Sequence, residues 1–356
     1  MAPVERIGLV VHGGKEAALA AAERVRRWAA GHGVPCADID VWDQRDGHRL
    51  DAREEAARAG DPDLIVTVGG DGTFLRGVRV AGAIDALVLG VNVGRVGFLT
   101  EVAAADLVDA LDAVHRGDIH VDARMTLTMR AARRLEIPAD FEEMLRYGRG
   151  PALPSPHVRP GLKSQGGWGV PLDVLALNDI VVEKLARDRQ ASLAVYVGSK
   201  LFASYSADAL IVASSTGSTA YSFSAGGPIV SPDLDALVFT PVAPHMVFNR
   251  SVVLDKSQCV GILVLEHSGE VAVSVDGQLR GVLHPGDWIT VYAAPKRSRL
   301  ARLAEPDFLG RVRDRFGLVD AAAALADGHP PAFAPDEPLP PDLAHPGPPP
   351  AELQGV

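Results

Sequence analysis

The stretch Asp63 to Leu75, DLIVTVGGDGTFL, constrains the fold more than any other part of this chain. Leu64 to Val68 form an unbroken apolar, largely β-branched run bounded by turn residues, the pattern of a strand covered on both faces in a parallel sheet. Gly69, Gly70 and Gly72 follow at once, so the backbone can turn sharply and approach a ligand with no Cβ in the way. Phosphate is the expected guest. Asp71 complicates this, because a carboxylate in a phosphate nest repels its guest unless a cation or a proton-acceptor role offsets the charge. GGDGT is neither a Walker loop, since no GK[ST] follows, nor the dinucleotide fingerprint, since the spacing differs. By itself GGDG reads equally well as a tight turn, and its place after a buried strand favours phosphate.

Around this stretch the first third alternates strand and helix. Ile7 to Val11 reads as a strand, Lys15 to Ala30 as an Ala-rich helix ending at Gly31, and Ala37 to Val41 as a second strand. A charged helix over Asp51 to Ala59 precedes the Leu64 strand, and Phe74 to Ala81 continues the glycine loop as a helix. Ala86 to Val91 is another buried strand, followed by NVGRVGFLTE and a helix with Leu107, Leu111 and Val114 on one face. The expectation is an α/β fold with a parallel sheet, ligands gathering at the carboxyl ends of its strands.

From about Asp118 the pattern changes to strands and turns. His120 to Met129, Val174 to Glu183, Ser192 to Val197, Leu201 to Tyr205, Leu210 to Ala213, Val260 to Leu265, Val271 to Val275 and Trp288 to Tyr292 read as strands, with Gly198-Ser199 as a two-residue hairpin turn. A second, mainly β domain follows, giving 1–118 as the α/β domain and 119–296 as the β domain. Residues 130–171, with seven Lys/Arg and scattered prolines, read as an insertion. Residues 326–356 read as a disordered tail, His329 to Pro350 alone holding ten of the 26 prolines.

At 356 residues and 47% hydrophobic content the chain can bury a substantial core. No apolar run reaches membrane-spanning length and no basic, apolar leader precedes the first strand, so a soluble cytoplasmic protein is expected, with no membrane partner. Cys36 and Cys259 are too few for a disulfide framework or thiolate metal site. The net charge of −10 argues against nucleic acid, and five of the acidic residues lie in the last thirty positions.

Two further constellations carry chemistry. In SSTGSTAYSFSAGGP, Ser214 to Pro228, hydroxyls and amides gather around Gly217 at a helix start, suited to an anion, and Tyr221 offers a stacking face. The plain alternative is a Ser/Thr cap on a short helix. No GxSxG surrounds these serines, which speaks against a hydrolase nucleophile. Polar residues also stand among apolar neighbours: Asn178-Asp179, Asp208, and Asp276 with Gln278. Buried carboxylates there need polar partners such as ribose hydroxyls. Asp276-Gly277 is better read as a hairpin turn, leaving Gln278 as the ligand candidate.

GGDGTFLRG, NVGRVGFLTE, LNDIVVEK, TGSTAYSFSAGGPIV and TPVAPH, in this order, resemble the NAD kinases from Ile7 to about Leu318. GGDG alone is shared with lipid kinases and phosphofructokinases, and TGSTAYS points to the NAD kinase branch. The resemblance implies phosphoryl transfer from ATP, or polyphosphate in some relatives, to the 2′-hydroxyl of the adenosine ribose of NAD, giving NADP. It implies Asp71 as the proton acceptor, Gly69, Gly70, Gly72 and Thr73 as the phosphate loop, and Gly72 against the dinucleotide. Asn178, Asp179 and Asp208 would hold ribose and nicotinamide groups, Thr219, Ala220, Tyr221, Ser222, Phe223 and Ser224 would line the adenine and ribose pocket, and Gln278 would contact NAD. Arg189 and Ser206 fall at NAD-binding positions, Ser206 where many members have Arg. Mg²⁺ would be carried mainly by nucleotide phosphates. Family members are homo-oligomers, dimers or tetramers, whose NAD site a neighbouring subunit commonly completes. The chain departs from the usual pattern at Asp179, Ser206, Ala209, Ser214 and Ser215, which leaves two alternatives: a divergent paralogue with another acceptor, or a non-catalytic dinucleotide-binding protein.

Overall fold

A computed structural model describes residues 3–41, 50–94, 97–138, 154–159, 167, 169–186 and 188–318. Residues 1–315 form one compact unit and 316–356 a second, of which only 316–318 are described. The tail 326–356 and most of the insertion expected over 130–171 lie outside the described residues.

In the first sheet the strands run in the order Cys36–Asp38, Ile7–Val11, Leu64–Gly69, Leu87–Asn92, Ser298–Arg302, His120–Arg124, with Val102–Ala103 also beside Leu87–Asn92. All pairings are parallel except the last of the path, where His120–Arg124 runs antiparallel to Ser298–Arg302. Every residue of the strands at Leu64 and Leu87 is buried, as expected of central strands with helices on both faces. Helices Glu16–His32 and Leu107–Arg116 cover one face through Ala22, Val25, Leu107 and Leu111, while Ala52–Arg58 and Asp71–Ile84 cover the other through Ala56, Phe74, Val78 and Ala81.

The remainder is antiparallel. One six-stranded sheet has the order Lys200–Ala207, Ala191–Val197, Cys259–Val264, Trp288–Ala293, Leu127–Ala131, Val170–Pro171; the other runs Val252–Asp255, Ala236–Val242, Ala209–Ser214, Asp179–Lys184, Val271–Val275, Gln278–Leu283. A shared core including Leu127, Ile180, Leu193, Leu210, Ile262 and Val273 lies between them. Gly198, at φ +60°, makes the hairpin turn anticipated at Gly198-Ser199.

Three expectations change. His120 to Met129 is two strands in two sheets, because the chain passes from one sheet to the other at Met125-Thr126. There Thr126 Oγ1 donates to Lys296 O at 2.7 Å and Ala294 N–H to Thr126 O at 2.7 Å, so the outgoing and returning segments cross side by side. The strand expected from Val174 begins only at Asp179. The strands Ala236–Val242, Val252–Asp255, Gln278–Leu283 and Ser298–Arg302 were not anticipated as strands; Val252–Asp255 and Ser298–Arg302, VVLD and SRLAR, are too short for a clear period.

Helix Asp71–Ile84 approaches its sheet closely at Gly77, where a Cβ would lie 2.2 Å from Cγ2 of the buried Thr67. Gly77→Ala is expected to lift the helix and cost about 1–3 kcal/mol, read as a lower urea midpoint with an unchanged slope. An unchanged midpoint would show that the contact is slack.

Candidate active site

The strand Leu64–Gly69 hands over directly to the helix Asp71–Ile84. Gly70 is the N-cap in extended conformation (φ −103°, ψ −172°), so Asp71 and Gly72 belong to the first helical turn and the expected loop is a strand end joined to a helix start. None of Gly69, Gly70 and Gly72 has positive φ, so these glycines supply space and not a left-handed turn. A Cβ at Gly69 would fall 2.4 Å from Thr73 Oγ1, whereas one at Gly70 or Gly72 would meet nothing within 4 Å. Thr73 is buried against Gly69, which leaves Gly70, Asp71 and Gly72 as the open face.

The Asp71 carboxylate is held by the segment after strand Leu87–Asn92. Phe98 N–H donates to Oδ2 at 3.0 Å; Leu99 N–H, Thr100 N–H and Thr100 Oγ1 donate to Oδ1 at 3.3, 3.4 and 3.4 Å. Gly97 makes room, since a Cβ there would lie 2.1 Å from Asp71 Oδ1. Below, the buried Arg302 donates to Leu99 O at 2.9 Å and pairs with Glu101 at 3.1 Å and Asp122 at 3.2 Å. The returning strand Ser298–Arg302 thereby braces the segment that orients Asp71. Residue types alone did not disclose this role for Gly97 to Thr100; the glycine immediately before the apolar pair Phe98-Leu99 was the available signal.

Asn178 and Asp179 stand at the bend before strand Asp179–Lys184. Their N–H groups and that of Leu177 all donate to the Asp276 carboxylate, at 2.8, 3.1 and 2.9 Å. Asp276-Gly277 is the expected hairpin turn, with φ +48° and +74°, and its side chain also anchors this bend. Burial pushes the Asp276 carboxyl up to about 6, against the lowering effect of the three amides. Asn178 is buried, and its Oδ1 has no hydrogen-bond partner among the described residues.

The TGST segment docks on this bend. Ser214 N–H donates to Asn178 O at 2.8 Å, Ser214 Oγ donates to Leu177 O at 2.5 Å and accepts from Gly217 N–H at 3.1 Å. A Cβ at Gly217 would lie 2.0 Å from Asn178 O, so glycine is required there by close approach. Thr216–Thr219 is a 3₁₀ turn and Tyr221–Ser224 a single helical turn, joined at Ala220. Tyr221 and Phe223 are half-exposed; Ser222 is buried, bonded to Thr240 Oγ1 at 2.9 Å; Ser224 is exposed, and Thr219 Oγ1 donates to Thr216 O at 3.3 Å. Gln278 is buried and, with its amide oxygen turned toward donors, accepts from Arg76 at 2.5 and 3.3 Å.

Asp208, Ser206 and Arg189 are not brought to this cluster within one chain. Lys184 stands opposite Asp208 at one end of the ladder and Asn178 opposite Ser214 at the other, six residues or about 20 Å along the strand. Asp208 pairs with Lys184 Nζ at 2.6 Å, Ser206 Oγ donates to Gln190 Oε1 at 2.8 Å, and Arg189 is exposed.

The site thus joins a parallel-sheet half, ending in an oriented carboxylate at an open helix start, to a β half with a second polar bend. The family models for the ATP-NAD kinase N-terminal and C-terminal domains match residues 7–119 and 177–303. NAD kinase 1 of Streptomyces coelicolor is 61% identical over 343 residues, 96% of this chain and 94% of the relative; NAD kinase 1 of Streptomyces avermitilis is 62% identical over 343 residues, 96% of each. In fold the chain is similar to a yeast NADH kinase complexed with NADH (TM-score 0.67, 21% identity, 90% and 89% covered). It is similar also to an NAD kinase from Archaeoglobus fulgidus in complex with ATP (TM-score 0.58, 22% identity, 88% and 96% covered). The chain belongs to the ATP-NAD kinase family and is an enzyme of that family.

Gly97→Ala is expected to displace the Asp71 carboxylate and lower kcat on the order of 100-fold while the protein remains folded; wild-type turnover would mean that the 97–100 segment does not position Asp71. With a folded value of about 6 against 3.8, Asp276 contributes stability that is present below pH 4 and lost as pH rises through 6. This amounts to about 3 kcal/mol. Urea midpoints measured between pH 4 and 7 should therefore show a component of this sign that disappears in Asp276→Asn; an equal pH slope in both proteins would assign it elsewhere.

Proposed function

We propose that this enzyme transfers the γ-phosphoryl group of ATP to the 2′-hydroxyl of the adenosine ribose of NAD, producing NADP, with Asp71 as the proton acceptor. The carrying observation is the Asp71 carboxylate, fixed by three backbone amides and one hydroxyl beside the open backbone of Gly70 and Gly72. Oδ1 accepts three of these hydrogen bonds and Oδ2 one, so Oδ2 keeps the greater capacity to accept the ribose hydroxyl proton. Phosphoryl transfer asks of the protein mainly positioning and charge stabilisation, and a preoriented base supplies the first.

The unpartnered Asn178 Oδ1 is suited to a ribose or amide donor, Asp179 lies beside it, and Tyr221 and Phe223 offer apolar faces next to the adenine and ribose pocket formed by Thr219 to Ser224. Gln278, held by Arg76, completes the dinucleotide contacts on the hairpin side. Mg²⁺ is a hard, oxygen-seeking cation, and no three acidic, His or Cys residues converge on a metal-sized site among the described residues. That donor set fits an ion held chiefly by nucleotide phosphates, where it would neutralise their charge.

Arg189, Ser206 and Asp208 serve NAD in this reading through a second copy of the chain, because strand register holds Asp208 about 20 Å from Asn178 and Ser206 lies two residues before Asp208. The working form is accordingly a homo-oligomer, and a monomer that turns over NAD at full rate would overturn this part. The division into an α/β domain over 1–118, rejoined by 297–325, and a β domain over 119–296 belongs to the same reading, as does a cytoplasmic location, to be checked by fractionation.

Incubation with ATP, Mg²⁺ and NAD should yield NADP, and Asp71→Asn should lower kcat by roughly 10²–10⁴-fold with little change in KM for NAD. No NADP from folded, NAD-binding wild type would overturn the function. An Asp71→Asn enzyme as fast as wild type would overturn only the base.

A further inference from the structure

Between helix Asp71–Ile84 and the hairpin that carries Asp276, a cavity of about 420 Å³ runs beside the helix, within the size range of small-molecule sites. Leu75, Arg79 and Gly82 line it from the helix and Gln278 and Arg280 from the hairpin; Asp71, Gly72, Asn178 and Tyr221 do not line it, so Gln278 is the one proposed dinucleotide contact among the residues named here that borders it. Arg280 is only 8% exposed, its Nε is buried without a partner, and its guanidinium makes no hydrogen bond or ion pair with any described residue. Arg79 binds Glu55 at 2.5 Å through NH2, but its buried Nε is likewise unpartnered. Lys296, exposed at the rim, has no carboxylate partner among the described residues.

The carboxylates of the cavity do not answer this charge. Asp276 is taken up by three backbone amides, and Asp51 caps helix Ala52–Arg58 and pairs with His157 at 3.3 Å. Asp173 is near enough to act on Arg280 through its charge yet forms no ion pair with it. Burial pushes the Arg280 guanidinium down to about 9, and neighbouring Arg79 adds to the effect. A buried, fork-shaped donor with no acceptor among the described residues is suited to a planar or tetrahedral oxyanion.

We propose that this cavity is a second ligand site, adjoining the nucleotide site at Gln278 but centred on Arg280, taking a small organic anion whose phosphate or carboxylate group is received by Arg280, with Arg79 and Lys296 adding charge. Leu75, Val174 and Leu175 provide the apolar wall for its carbon skeleton. Helix Asp71–Ile84 lines the cavity along one side and carries Asp71 at its start, so an occupant bears on the element that positions the proposed base. Binding itself does not depend on the functional reading.

Isothermal titration of the full nucleotide-free chain with pyrophosphate and, separately, citrate tests this. At least one is expected to bind saturably at one site per chain, with affinity changed less than about twofold by saturating NAD, and preference between the two assigns phosphate or carboxylate chemistry. Arg280→Met should weaken that binding at least tenfold, about 1.4 kcal/mol, and should melt above wild type in anion-free buffer because an unpaired buried charge has been removed. Lys296→Ala, at the exposed rim, should weaken binding severalfold with no change in melting, and it decides the matter if Arg280→Met does not fold. Absence of saturable binding, equal affinity in wild type and the variants, or competitive displacement by NAD would each overturn the proposal. NADP formation by the wild type, measured in parallel, reports on the enzymatic reading independently.

Discussion

The buried carboxylate of Asp276 is the contact on which most of the site depends. Placed in a two-residue turn, it accepts the amides of Leu177, Asn178 and Asp179 and so fixes a bend whose N–H groups no strand partner could satisfy. The bend faces three ways. Leu177 packs into the core formed with Phe74, Val78 and Leu99, Asn178 O receives the amide of Ser214 at close range to Gly217, and Asp179 opens a central strand of the third sheet. The three amides offset part of the hydration that this carboxylate loses on burial, and those amides in turn would be unsatisfied without it.

Asp71 repeats the same device with a different outcome. Its carboxylate also collects successive backbone amides, from Phe98, Leu99 and Thr100, but it remains partly exposed beside glycines that carry no side chain. One carboxylate therefore holds structure and the other is left able to meet a ligand, and solvent access separates the two roles. Arg302 extends the support from the returning strand Ser298–Arg302, linking Leu99, Glu101 and Asp122 across elements far apart in sequence.

The Ser214-Ser215 departure from the family pattern acquires a physical account at the same junction. Ser214 Oγ bridges Leu177 O and Gly217 N–H, while Ser215 Oγ bonds the backbone of Leu234 and Ala236. Both hydroxyls are spent on closing the 3₁₀ turn onto its neighbours. Asp208, a strand's length away from this junction, has an ion pair with Lys184 at 2.6 Å.

By itself the sequence determined the alternation of buried strands and helices in the first third, the change to antiparallel pairing beyond it, the hairpin turns at Gly198 and Asp276-Gly277, and the family, because each of these is written in local period, turn chemistry or contiguous motif. Only the tertiary structure decided what Asp71 and Asp276 touch, why Gly97 and Gly217 must lack a side chain, and that Asp208 lies a strand's length from Asn178. Those facts depend on contacts between residues about 30 to 100 positions apart, as with Phe98 and Asp71 or Asn178 and Asp276, and no local pattern records which amides a buried carboxylate will meet. The guanidinium of Arg280 is of the same kind: an arginine in a strand reads as a solvated face until the fold closes over it and leaves it without a hydrogen-bond or ion-pair partner among the described residues.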